Sequence, residues 1–158
     1  MSTSTIAQSF AQSPQQQELR DAIAVSEKNT DKIHLKGLIG SSLSFVVANA
    51  FKEAKRPFLL ILNDKEEAAY HLNDLEQLIG EDNVLFYPGS YRRPYQIEET
   101  DNANILLRAE VLNRINSRKK PAIIVTYPEA LFEKVVTKKE LERSTLKINL
   151  NDKLSIDF

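Results

Sequence analysis

The residues from Gly37 to Ser44, read as Gly-Leu-Ile-Gly-Ser-Ser-Leu-Ser, lie on the pattern of a phosphate-binding loop at its first and last positions. In a working loop, backbone N–H groups at a helix N-terminus cradle phosphate, a lysine neutralises β- and γ-phosphate charge, and a terminal hydroxyl holds magnesium. Here Gly37, Gly40 and the Ser44 hydroxyl are present, with Ser41 between them. Ser42 and Leu43 stand where the pattern requires glycine and lysine. Leu43 brings neither charge nor a donor, and Ser42 adds a Cβ where the loop needs a residue free to adopt positive φ. The loop therefore reads as a degenerate phosphate loop that shapes a strand-to-helix turn and is not expected to bind ATP.

Other groups able to do chemistry are few. His34 and His71 are the two histidines, with no neighbouring spacing that would make a metal site. Asp64, Glu66 and Glu67 occupy the first turn of an expected helix, where carboxylates are favoured by the helix dipole. No strand ends in the paired acidic residues that would hold magnesium opposite a phosphate loop. Arg92, Arg93 and Tyr95 share a loop with Tyr91, an arrangement able to touch phosphate and stack on a base. Arg114, Arg118, Lys119 and Lys120 gather at a helix C-terminus, which favours cations in any case. No catalytic residue and no metal ligand is predicted.

The elements that position these groups follow from periodicity. Residues 1–12 are rich in Ser, Thr and Gln and are expected to be a disordered tail. Ser13, Pro14 and Gln16 supply a helix N-cap, a proline at the first helical position and a capping-box partner. The helix they start runs to about Glu27, with Leu19, Ala22 and Ile23 on one face. Ile33 and Leu35 are expected to form a first strand that delivers the chain into the glycine turn. Phe58 to Leu62 is an unbroken apolar run suited to a parallel strand covered on both faces. Asp64 caps the next helix, on which Ala68, Leu72, Leu75 and Ile79 form one face before Gly80 ends it. Val84 to Tyr87 and Pro121 to Thr126 read as further strands. Between them, a helix from about Asp101 to Ser117 is expected to bury Ile105, Ala109, Leu112 and Ile115. A short helix from Pro128 to Val136 follows.

This alternation predicts an α/β domain, a mainly parallel sheet flanked by helices, over residues 13–144. Residues 145–158 read as a strand or linker into a following domain, with Leu146, Ile148 and Leu150 alternating. The chain is accordingly expected to be a fragment of a longer protein.

Composition bounds the function. The chain of 158 residues is about one domain and long enough to bury a core. It is 42% hydrophobic and 27% charged, within the usual range for globular proteins. Its net charge of −1, from 21 basic and 22 acidic residues, gives no global attraction to nucleic acid or anionic lipid. Cysteine is absent, which excludes disulfides and thiol chemistry and fits a reducing cytoplasm. The N-terminus lacks the basic flank and apolar core of a signal peptide, and no apolar run reaches the ~20 residues that span a bilayer.

From about Leu19 onward the chain resembles the N-terminal α/β domain of the bacterial transcription-repair coupling factor (Mfd) family, itself similar to the first domain of UvrB. The resemblance rests on GLIGSSLSFVVANAF, PFLLILNDKEEAAYHLNDLEQLIG, VLFYPGSYRRPYQ, EETDNANILLRAEVLNRI and AIIVTYPEALFEKV, taken in order and spacing. UvrB keeps an intact phosphate loop and a long aromatic hairpin. Here Ser42 and Leu43 break the loop, and Tyr87 to Asp101 is too short for the hairpin, so the coupling factor fits better. Arg92-Arg93-Pro94-Tyr95 departs from the Leu-Pro-Tyr common in the family.

The resemblance implies a phosphate-loop-NTPase-like (RecA-like or UvrB-like) fold and a non-catalytic scaffold within an ATP-driven DNA translocase. Such a parent displaces stalled RNA polymerase, recruits UvrA and acts on double-stranded DNA. Its ATP and magnesium sites lie in motor domains far downstream, so no cofactor is expected here, and the main partners are the remaining domains of the same chain. The alternatives are a nucleotide-binding helicase domain and a DNA-binding module.

Overall fold

A computed structural model describes residues 3–25, 32–91, 101–118, 120–135 and 137–143. Its elements are α1 (Thr3–Ala11), α2 (Pro14–Val25), α3 (Ser42–Ala54), β1 (Phe58–Ile61), α4 (Lys65–Ile79), β2 (Val84–Tyr87), α5 (Asn102–Ser117), β3 (Ile123–Thr126), α6 (Pro128–Phe132) and α7 (Lys138–Arg143). The strands form a parallel sheet in the order β1-β3-β2, with Phe58 and Val84 both opposite Ile123. The chain crosses two places from β1 to β2 and then one place back to β3. Two right-handed crossovers in opposite directions put their helices, α4 and α5, on opposite faces of the sheet. All four residues of β3 are buried accordingly, as a central strand covered on both sides requires.

The α4 expectation holds in detail. Asp64 accepts the Glu67 N–H at 2.8 Å, and Glu67 reaches back to the Asn63 N–H at 2.9 Å, so the helix start is doubly satisfied. Ala68 and Leu75 are fully buried on the inward face, and Leu72 and Ile79 pack against the same core. Ser13 likewise caps α2 through the Gln16 N–H at 3.2 Å.

Four expectations are corrected. The N-terminal tail is a helix, α1, because Phe10 stacks on Phe45 of α3 with ring centroids 5.2 Å apart, which gives an otherwise polar segment an apolar anchor. Residues 32–36 form no strand: Ile33 and Leu35 stay substantially exposed, and the chain runs beside α2 instead of entering the sheet. On α5 the buried positions are Arg108 and Val111, whereas Ile105 and Ile115 are exposed at 42% and 51%. The helix is turned so that Arg108 reaches the Pro88 carbonyl just beyond β2 and the Ala130 carbonyl of α6. The helix after β3 stops at Phe132, short of Val136. The strand expected across Leu146, Ile148 and Leu150 lies outside the described residues.

Candidate functional site

The Gly37–Ser44 segment begins with a turn that glycine makes possible. Gly37 and Gly40 take φ of 79° and 54°, a region open to glycine at little cost. Ser41 then stands at the N-cap of α3 without a side-chain capping bond. Ser42 instead accepts the Ile39 N–H at 2.7 Å, closing the turn on itself. Ser41 Oγ lies 2.5 Å from Tyr70 Oη of α4. Leu43 packs against the hydrophobic core.

Ser44, the one hydroxyl the pattern assigns to magnesium, is completely buried. Its Oγ donates to Asp74 Oδ2 at 3.0 Å and lies 2.7 Å from His71 Nδ1. With the Ser44 proton given to Asp74, the His71 Nδ1 must be the donor in its own contact, which fixes the ring with its proton on Nδ1. His71 and Asp74 are one helical turn apart on α4 and so share a face. Both partners converge on the serine, and neither orients the other as the base and orienter of a nucleophilic triad would be arranged. The cluster fastens α3 to α4.

All three loop hydroxyls are thus engaged within the protein, and no lysine is present to meet phosphate charge. A cavity of about 640 Å³ does open nearby, between α2 and the 33–38 segment. Its walls include Phe10, Leu19, His34, Leu38 and Val46 but none of the loop serines. His34, exposed in this wall, has no acidic or imidazole neighbours in metal-binding array, and no such group exists among the described residues.

A second polar cluster sits at the carboxyl ends of β2 and β3, where open α/β sheets usually place their sites. Arg108 of α5 donates to the Pro88 carbonyl at 2.7 Å and the Ala130 carbonyl at 3.0 Å, and stacks over Tyr87 at 4.2 Å. It also pairs with Glu133 at 3.5 Å. Glu133 accepts from the Ser90 N–H at 2.9 Å and from its hydroxyl at 2.5 Å. Tyr127 Oη accepts the Gly89 N–H at 2.8 Å, and Asn104 donates to the Gly89 carbonyl. A Cβ at Gly89 would come within 2.9 Å of the Glu133 carboxylate and 3.3 Å of the Tyr127 hydroxyl, so a side chain there would have to displace the polar ends of both. Burial raises the Tyr87 and Tyr127 hydroxyls above their ordinary value, partly offset at Tyr87 by Arg108 and at Tyr127 by the Gly89 hydrogen bond.

This second cluster holds the base of the loop that carries Arg92, Arg93 and Tyr95. The Asp101 N–H closes on the Ser90 carbonyl at 2.8 Å. Those three loop residues themselves lie outside the described structure. Sequence reasoning missed both clusters. The signal for the first was the spacing of His71 and Asp74 on one helix face; a single arginine between apolar residues gave none for the second.

Among the described residues, no helix is long and apolar enough to cross a membrane. No known protein-family profile matches the chain, and no solved structure matches it. Curated relatives do. The transcription-repair-coupling factor of Rickettsia bellii is 27% identical over 112 residues, 70% of this chain and 10% of the relative. That of Rickettsia prowazekii is 26% identical over 72% of this chain and 10% of its own length. The UvrABC system protein B of Metamycoplasma arthritidis is 28% identical over 137 residues, 78% of this chain and 21% of the relative. The chain therefore resembles both the coupling factor and UvrB over 70% and 78% of its length, while spanning only about a tenth of the coupling factor and a fifth of UvrB.

Proposed function

We propose that this chain is a non-catalytic scaffold domain of a transcription-coupled DNA-repair factor. Its parent would displace RNA polymerase stalled at a lesion and recruit UvrA. Similarity to the coupling factors and UvrB supports a domain of the coupling or excision-repair type. The observation that carries the non-catalytic reading is the inward commitment of Ser44 to His71 and Asp74, with Leu43 packed in the core where a working loop has its lysine. A hydroxyl so held would have to abandon the buried His71 and the partly buried Asp74 before it could hold magnesium. ATP and magnesium would be used by motor domains elsewhere in the parent, in the cytoplasm, and the immediate partners of this domain would be other parts of its own chain. Contact with UvrA, RNA polymerase or double-stranded DNA would be made through the parent.

The test has two arms. Calorimetric titration with magnesium-ATP is expected to give no heat with the native chain. It is also expected to give none with the double substitution Ser42→Gly, Leu43→Lys, because the added lysine must leave the core and Ser44 stays engaged. Saturable ATP binding by the native chain would replace the scaffold reading with that of a nucleotide-binding helicase domain. Disruption of the encoding gene is expected to abolish the faster repair of transcribed over non-transcribed strands after ultraviolet damage. Unchanged strand preference would remove the coupling role.

A further inference from the structure

At the end of the sheet opposite the Arg108 cluster, where β1 and β3 begin, a groove of about 390 Å³ runs between the C-termini of α3 and α5. Its rim carries Lys55, Arg56, Arg114, Arg118 and Lys120, and no carboxylate lines it. Its floor is apolar, made by Pro57, Ile115, Pro121, Ala122 and Ile124. In a chain of net charge −1 this is a local concentration of cations that the overall composition does not foretell.

Three features set this groove apart from an ordinary solvated basic face. First, Lys55 and Arg118, the helix C-caps, each have φ of 50° and are the non-glycine positive-φ residues among those described. Glycine is the usual residue there, since the left-handed region strains a residue that carries a side chain. Both strained positions carry a cation, and both cations line the same groove. Second, Asp82 offers Lys120 and Arg114 little neutralisation. Lys120 approaches Asp82 only at 3.9 Å with both groups exposed, and Arg114 meets the Asp82 backbone carbonyl, not its carboxylate. The negative ends of the α3 and α5 dipoles favour cations nearby, yet do not account for their facing one another across apolar surface. Third, the apolar floor continues outward. Leu59 is the register partner of Ile124 in parallel pairing, so the two share a face, and Leu59 and Ile61 are exposed at 58% and 51%.

We infer that this groove docks an acidic peptide segment of a partner protein, with carboxylates on the basic rim and apolar side chains on the Ile115–Ile124 floor. Charge complementarity selects an anionic partner. The floor selects a peptide over nucleic acid, since no aromatic ring lines the groove to stack a base and its interior has few groups to read a base edge. Peptides that lay an apolar face into such a groove while flanking carboxylates meet basic residues are a recurring recognition mode.

The test is fluorescence anisotropy with the full 158-residue chain. The probe is a fluorescein-labelled peptide in which glutamates flank two leucines one helical turn apart. Comparison probes are the same peptide with serines for the leucines, and a labelled DNA duplex. Arg118→Gly removes a cation while relieving its backbone strain, so weaker binding by this variant cannot be ascribed to unfolding. Ile115→Ser alters the exposed floor, and Lys120→Glu reverses a rim charge. Saturable peptide binding is expected, weakened about fivefold or more by Lys120→Glu and by Arg118→Gly, and weakened also by Ile115→Ser and by the serine probe. Absence of peptide binding, binding indifferent to Ile115 and the leucines, or tighter binding of the duplex that follows only the cations would each overturn the inference.

Discussion

The Ser44 hydroxyl of α3 lies 2.7 Å from Nδ1 of His71 on α4, in a fully buried contact across the seam between the two helices. Asp74 shares the same hydroxyl. A position that the loop pattern reserves for a metal ion is thereby used to lock two helices together. Ser44→Ala would leave the buried His71 Nδ1 and the partly buried Asp74 carboxylate short of a partner. The expected loss is about 1–3 kcal/mol of stability, read from urea unfolding. A change within experimental error would show that the cluster is not a fastening.

Tyr127→Phe removes the acceptor of the buried Gly89 N–H, with an expected cost of about 1–3 kcal/mol. The same substitution bears on alkaline stability. Burial raises the Tyr127 hydroxyl from 10.0, so its contribution is complete below that pH and is lost as pH rises through the higher folded value. The native chain should lose stability on the alkaline side more steeply than Tyr127→Phe, and melting curves taken across that range would show whether it does.

Arg108 and Glu133 form a buried pair that also satisfies the carbonyls of Pro88 and Ala130 and both donors of Ser90. Arg108→Met should destabilise by about 3–5 kcal/mol, since Glu133 would keep a largely buried charge without its partner. Glu133→Gln should cost less, and the double variant less than the sum of the two. Strict additivity in this cycle would mean that the two side chains act independently.

Glu76 has its carboxyl raised above the usual value of 4.5, first by burial and then by repulsion from Glu81. A raised folded-state value means that stability present below 4.5 is lost as pH rises through the ionisation of Glu76. Glu76→Gln should therefore raise the melting temperature at neutral pH, and the gain should disappear in acid below that value. A gain that persisted in acid would point to a cause other than ionisation.

Asp64→Ala should cost about 1 kcal/mol through loss of the α4 cap. Because Glu67 still closes on Asn63, the helix should remain formed, and circular dichroism should show lower stability without loss of helical content at low temperature. Loss of helicity in the folded state would mean that Asp64 is needed for α4 to form.

Local chemistry determined much of this protein directly. Asp64 with Glu67 marks a helix start through bonds spanning only a few residues, so the pattern and the outcome coincide there; at α2 Ser13 caps the Gln16 N–H as expected, but the Gln16 side chain is no capping-box partner and donates to the Val46 carbonyl instead. The apolar runs at Val84 and Ile123 became largely buried parallel strands, since strands covered on both faces have no polar side to show, whereas the run at Phe58, expected to be covered on both faces, became an edge strand that leaves Leu59 and Ile61 exposed on one face. The missing lysine at Leu43 was equally plain, being a matter of residue type.

Tertiary contacts decided the rest. Whether residues 3–11 are a tail or a helix depended on Phe10 meeting Phe45, residues 35 positions apart whose encounter no local pattern encodes. Ile33 and Leu35 have strand-like alternation, but a strand exists only where a neighbouring strand offers its backbone, and none among the described residues does so. The periodicity of α5 pointed to Ile105 and Ile115, yet satisfying the Pro88 and Ala130 carbonyls with Arg108 turned the helix another way. Ser44 shows the same division: its residue type permitted a magnesium ligand, and the packing of α4 against α3 gave its hydroxyl to His71 and Asp74.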